Sequence, residues 1–201
     1  DAEEASGLAS LTAGLDALRA GECELAVCCG AQRTLHHTRF EQYDRMGRLA
    51  HGAGGDFLLG EGAVALVLAR ADSPLAQGRT PFATFGEVTA SSSRAGGIDA
   101  LRRAVARATS GAAEAQRPAL LARFATSASA DATAESELHA VEGGAAAPLA
   151  ISAADRVGMT QGAAALVSLV DALGVAGRRA DELGAGAAEG APLPVALHGI
   201  G

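Results

Sequence analysis

EASGLASLTAGLDALRAGECELAVCCG, residues 4–30, is the stretch whose reading decides the fold. Leu8, Leu11, Leu15 and Leu18 recur at helical spacing, so residues 6–20 are predicted to form an amphipathic helix with one apolar face. Leu25-Ala26-Val27-Cys28-Cys29 follows as an apolar strand that closes at Gly30. The turn of small residues Ala5-Ser6-Gly7 feeds the helix. At such a helix N-terminus the dipole lowers the pKa of a Cys or Ser nucleophile, and backbone N–H groups can form an oxyanion hole. Here the nucleophile's place is taken by a carboxylate, Glu4. The turn is either not a nucleophile elbow or one that has lost its nucleophile.

Outward from this core, residues 32–56 form a long polar segment rich in His, Arg and Gly, read as a loop. Residues 63–68 are an apolar strand, Asp72-Ser73-Pro74 is a break, and residues 81–88 alternate as a further strand. Ser91-Ser92-Ser93-Arg94-Ala95-Gly96-Gly97 has loop composition and divides the chain into residues 1–90 and 91–201. The second part alternates: helix 98–109, strand 119–126, helix 133–141, strand 148–152, helix 159–173 and strand 194–197. The helix at 159–173 carries Ala163, Leu166, Val167 and Val170 on its apolar side. Residues 185–191 are a Gly/Ala surface loop. Strands alternating with helices of this length predict an α/β fold with a mostly parallel sheet and helices on its faces.

Composition narrows the functional classes. The chain has 201 residues, 49% of them hydrophobic, enough for a buried core. The net charge is -7, and all 16 basic residues are Arg. No basic stripe offers phosphate contacts, which argues against a nucleic-acid partner. No apolar run approaches the roughly 20 residues needed to cross a bilayer. Cys23, Cys28 and Cys29 lack CxxC spacing and are read as buried, reduced thiols of a cytoplasmic protein, with Cys28 and Cys29 pointing to opposite faces. His36-His37, whose side chains are expected to splay, and His51 have no Cys or carboxylate at ligand spacing, so neither a metal nor a cofactor is predicted. The chain starts at Asp1 without a signal-peptide pattern and stops at Gly199-Ile200-Gly201, which predicts a piece of a longer polypeptide.

Four landmarks follow one another. After the elbow turn and helix comes Arg19-Ala20-Gly21-Glu22-Cys23-Glu24-Leu25-Ala26-Val27-Cys28-Cys29-Gly30-Ala31. Next are Gly55-Asp56-Phe57-Leu58-Leu59-Gly60-Glu61-Gly62-Ala63 and Gly158-Met159-Thr160-Gln161-Gly162-Ala163-Ala164-Ala165. Val195-Ala196-Leu197-His198-Gly199-Ile200-Gly201 is last. In this order the chain resembles the β-ketoacyl synthases of the thiolase-like superfamily over nearly its whole length. The matching family patterns are R-x-G-x-x-D-x-x-x-x-G-G/A, D-G-F-V-x-G-E-G-A, G-H-x-x-G-A-A-G, and the V-N-S-F-G-F-G turn near the acyl gate. The resemblance implies a thiolase-like layered α-β-α fold, present in part, from the elbow strand and helix of the first repeat through most of the second.

In condensing ketosynthases a Cys takes the acyl chain as a thioester. Two His residues assist decarboxylation of the extender and stabilise the enolate, and a Lys holds that site in place. By the resemblance, the Cys position is Glu4, the second His is Met159 and the Lys falls at Ala154 or Asp155. The stretch matching the first His, Thr126-Ser127-Ala128-Ser129-Ala130-Asp131, contains none. A carboxylate is a poor acyl acceptor, because its anhydride product is labile and its charge repels a malonyl carboxylate.

The pattern is similar to that of chain-length factors, the β-subunits of type II polyketide synthases, although those usually carry Gln where Glu4 stands. The resemblance therefore implies a catalytically degenerate homologue. It would pair with an active ketosynthase as a heterodimer, working on acyl carrier protein in polyketide or fatty-acyl biosynthesis. Glu4, Ala5, Ser6, Gly7, Met159, His198 and Gly199 are the implied elbow and pocket positions, with Ala5, Met159 and Ala165 as walls. Residues 33–48 are expected at the dimer surface and pocket lining, Cys28 and Cys29 near the two-fold axis, and Glu61 in buried contacts near the elbow. Glu135 and His139 are expected to form a solvated i,i+4 contact. The alternative is an acyltransferase or hydrolase of altered chemistry that uses Glu4 as general base.

Overall fold

The leucine stripe of the first helix buries as its spacing requires. In the computed structural model, which describes residues 6–50, 58–79, 81–85, 103, 120–123, 149–183 and 195–197, helix α1 spans Ser6–Ala20. Its Leu11, Leu15 and Leu18 are buried, and Leu8 packs at the margin. The helix closes where Glu22 N–H donates to the Ala17 carbonyl at 3.0 Å.

Strand β1 (Leu25–Gln32) pairs antiparallel with β2 (Gly62–Ala69), placing Cys28 opposite Leu66 and Gly30 opposite Val64. Period-two alternation turns Cys28 and Leu68 inward onto α1, where they join Leu166 and Leu169 in one core. As expected, Cys28 and Cys29 face opposite ways, but only Cys28 is buried; Cys23 is partly buried and Cys29 exposed. The outward face is apolar and open: Val27 is 58% exposed and lies opposite Val67, 67% exposed.

The segment read as a loop after β1 contains helix α2 (His37–Arg45). Its polar sequence has no apolar stripe to betray it, and Tyr43 is its one buried residue. Local chemistry sustains it instead. His36 caps the N-terminus, accepting from the Thr38 N–H, and Arg45 pairs with Glu41 one turn away at 3.4 Å. The His36 and His37 rings do not splay; their centroids lie 4.3 Å apart. Residues 81–85 are not the strand their alternation predicts, and Phe82 projects fully into solvent at 99% exposure. Nothing pairs with this stretch among the described residues, and alternation alone cannot make a strand without a neighbour. Residues 86–88, the end of that expected strand, lie outside the described residues.

In the second part, β3 (Leu120–Arg123) lies between β4 (Leu149–Ser152) and β5 (Val195–Leu197), parallel to both. This is the parallel sheet expected there, whereas β1 and β2 form an antiparallel pair. A short helix α3 (Ala154–Val157) and a 3-10 turn (Gln161–Ala163) lead into helix α4 (Ala164–Leu183). The helix expected from residue 159 thus starts five residues later, because Met159 bridges Leu59 in extended form and Gln161 adopts φ 42. Leu166 and Leu169 face the core, while Val170, expected there, is 42% exposed. Helix α4 packs on β3 and β5 and against α1 and β2, joining both sheets. An ion pair from Arg156 to Asp171 ties α3 to α4. The expected boundary at 91–97, the helix at 133–141 and the loop at 185–191 lie outside the described residues; of the helix at 98–109 only Arg103 is described, and it is helical.

Candidate functional site

Three backbone turns meet where α1 begins. Gly7 is buried against the Gly162 carbonyl and the Leu166 side chain, and Ser6 Oγ donates to the same carbonyl at 3.4 Å. The 3-10 turn thereby sits on the first turn of α1. On its other side, Met159 N–H donates to the Leu58 carbonyl at 2.7 Å and Gly60 N–H to the Met159 carbonyl at 3.0 Å. The segment before β2 and the segment before α4 are stitched by two backbone hydrogen bonds. Gly60 and Gly158 make this approach feasible: a Cβ on Gly60 would collide with the Val157 carbonyl oxygen, and Gly158 has φ 79.

The side chains filling this junction are packing groups. Met159 is buried with Tyr43, Leu49, Leu59 and Ala164 in a second apolar cluster. Three polar side chains brace it. Thr34 Oγ1 donates to the Gly60 carbonyl, Gln161 Nε2 donates to Tyr43 Oη, and Thr160 is buried beside them. The Tyr43 contact anchors α2 to the turn before α4, 118 residues away. Tyr43→Phe strands a buried amide donor, so thermal denaturation should show a loss of about 1–2 kcal/mol. A melting curve that superimposes on the wild type would remove Tyr43 from this role.

Several expected positions can now be placed. Ser6 and Gly7 stand at the start of α1, against the turn that follows Met159. Ala154, one of the two places matching the Lys, is buried, and Asp155, the other, is exposed. Ala165 is buried. Glu61 is exposed and so makes no buried contacts near the elbow; alternation along the strand turns it outward while Gly60 faces Gly158. Glu4, Ala5, Glu135, His139, His198, Gly199 and residues 126–131 lie outside the described residues, as does His51.

The sequence offered little notice of Thr34, Tyr43 and Gln161. Only the last lies inside a quoted motif, and Tyr43 is the chain's single Tyr. Cys28 is no substitute nucleophile: burial pushes its thiol up, and the neighbouring Cys29 and Cys23 add to that shift. It is packed in the core behind α1 rather than at the junction. Among the described residues no group of three His, Cys, Asp or Glu could hold a metal.

Comparison with known proteins gives this junction a context. Residues 1–73 match the family model "Beta-ketoacyl synthase, N-terminal domain". No curated protein matches the chain. Among solved structures, the ishigamide ketosynthase/chain length factor is 26% identical with a TM-score of 0.72, covering 84% of this chain and 45% of its own. A ketosynthase domain of oxazolomycin assembly from Streptomyces albus is 23% identical with a TM-score of 0.68, over 89% of this chain and 48% of its own. The noncanonical ketosynthase FabY from P. aeruginosa shares the fold at 19% identity and a TM-score of 0.69, over 87% of this chain and 33% of its own. The chain spans less than half the length of each.

Proposed function

Because this chain belongs to the thiolase-like β-ketoacyl synthase family, we propose that it is a non-condensing member, the chain-length-factor-like partner of an active ketosynthase. The observation that carries this reading is Met159, 6% exposed and packed on Tyr43, Leu49, Leu59 and Ala164 at the position of the second His. A thioether can neither donate a proton nor hold an enolate oxygen. Removing one such donor from an acyl-transfer site costs on the order of 100- to 1,000-fold in rate. Here the Lys position holds either buried Ala154 or exposed Asp155, and Glu4 stands where the thiol would be.

In this reading the junction is a wall. Met159 and Ala165 fill space that a reacting malonyl group would need, and together with Ala5 they shape a cavity completed by the partner. Residues 1–90 are the end of the first thiolase-like half and residues 91–201 the second half, in a layered α-β-α arrangement. The open face of Val27, Cys29, Ala65 and Val67 on β1 and β2 suits a further layer of the same fold, since these 201 residues cover 45% of the ishigamide protein. The active ketosynthase brings the Cys-His-His set, and the substrate arrives on acyl carrier protein in the cytoplasm. Among the described residues no helix is long and apolar enough to cross a membrane.

The full protein, co-expressed with a ketosynthase bearing an intact Cys-His-His set, should elute as a heterodimer. By intact mass it should elongate carrier-bound acyl chains only when that ketosynthase is present. Elution alone as a homodimer, or elongation by the isolated protein, would overturn the proposal. Acyl transfer or hydrolysis by the isolated protein that is lost in Glu4→Gln would instead identify Glu4 as a general base.

A further inference from the structure

We infer that the face of α2 and the loop before it form a binding site for a small phosphate- or pyrophosphate-bearing molecule. An open cavity of about 680 Å³ lies there, lined by Arg33, His36, Arg39 and Arg45, with Thr38, Glu41, Gln42 and Met46 completing it. This is the volume range of small-molecule sites. Three guanidinium groups around one hollow are out of keeping with a chain whose net charge is -7.

The donors there exceed the acceptors. Glu41 is the one carboxylate lining the cavity, and it already faces Arg45 at 3.4 Å in an exposed pair. Arg39 donates to the Gln42 amide oxygen at 3.1 Å, which leaves its charge uncompensated. Arg33 has no carboxylate partner among the described residues. His36, whose Nδ1 accepts the Thr38 N–H at 3.4 Å, stands at the rim.

Planar, fork-shaped guanidinium donors match phosphate oxygens in paired hydrogen bonds, which ammonium groups cannot do. Met46, 56% exposed at the margin, offers an apolar surface for the rest of such a ligand. The site lies outside the Met159 junction but within residues 33–48, the segment that the resemblance places at the dimer surface and pocket lining.

Inorganic pyrophosphate titrated into the full chain at low ionic strength, followed by calorimetry, tests the site. Saturable one-to-one binding is expected, weakened about tenfold to a hundredfold in Arg33→Gln and in Arg39→Gln. Arg19→Gln on α1 should bind as the wild type does, and circular dichroism should show the same helix content in all three variants. No saturable binding, or wild-type affinity in both Arg33→Gln and Arg39→Gln, would overturn the inference. So would binding of a phosphorylated protein without binding of free pyrophosphate.

Discussion

Replacing Gly60 by alanine is expected to lower the melting temperature by about 6–20 °C. The added Cβ would meet the Val157 carbonyl oxygen at collision distance and the Gly158 carbonyl carbon at 2.9 Å. Both are backbone atoms, so no side-chain rotation relieves the contact. The segment must move away, and with it go the hydrogen bonds from Met159 N–H to Leu58 at 2.7 Å and from Gly60 N–H to Met159 at 3.0 Å. Overpacking costs about 1–3 kcal/mol and two lost hydrogen bonds about 1 kcal/mol each, for a total of about 3–5 kcal/mol. At about 2–4 °C per kcal/mol for a chain of this size, the shift follows. Gly78→Ala is the control: Gly78 has a positive φ of 70 and nothing within 4 Å of an added Cβ, so only backbone strain of about 1 kcal/mol applies. A Gly60→Ala variant that melts within 2 °C of the wild type would mean that the two segments do not approach so closely in solution.

Where the chain buries a regular stripe, its sequence is readable. Leu11, Leu15 and Leu18 point to the face of α1 that packs on β1, and the Cys28-Cys29 pair resolves into an inward and an outward thiol by strand alternation alone. The short strands at 120–123, 149–152 and 195–197 are equally plain as apolar runs, although only the first of them, β3, is paired on both sides. Helix α2 is the counterexample. It is held by a cap, an i,i+4 pair and one Tyr, none of which produces a hydrophobic period. In β2 the unbroken apolar run marks the strand but not its faces: Leu68 is buried while Val67 is exposed.

The junction was legible as a set of glycines in family-like order, but not as a contact between residues about 100 apart. Gly60 and Gly158 each look like turn residues; only the fold reveals that each is small because of the other. The start of α4 was misplaced for a related reason. Thr160-Gln161-Gly162 is acceptable helix sequence, but Met159 is engaged as a strand residue with Leu59, and the chain must turn sharply at Gln161 before it can coil. Tertiary pairing overrides local propensity there.

Met159→His, which restores the residue type of a condensing site, is expected to destabilise the protein by about 2–3 kcal/mol and to yield no decarboxylation. The first effect follows from the surroundings: Tyr43, Leu49, Leu59 and Ala164 enclose the side chain, and the Tyr43 hydroxyl already accepts from Gln161. An imidazole there loses the packing of a methionine and buries ring nitrogens short of partners. Burial disfavours the imidazolium, so the folded-state pKa falls below the unfolded value of about 6.5. The unfolded chain then binds more protons in acid, and the variant should lose further stability relative to wild type as the pH drops below about 6.5. Denaturant unfolding at pH 8 and pH 5.5 measures both parts. The second effect follows from chemistry: one imidazole without a thiol at residue 4 or an ammonium group at residue 154 has neither an acyl group to receive nor a partner to orient it. Release of carbon dioxide from malonyl-carrier protein above the wild-type background would show that residue 159 faces a reactive pocket, and that the wall reading is wrong.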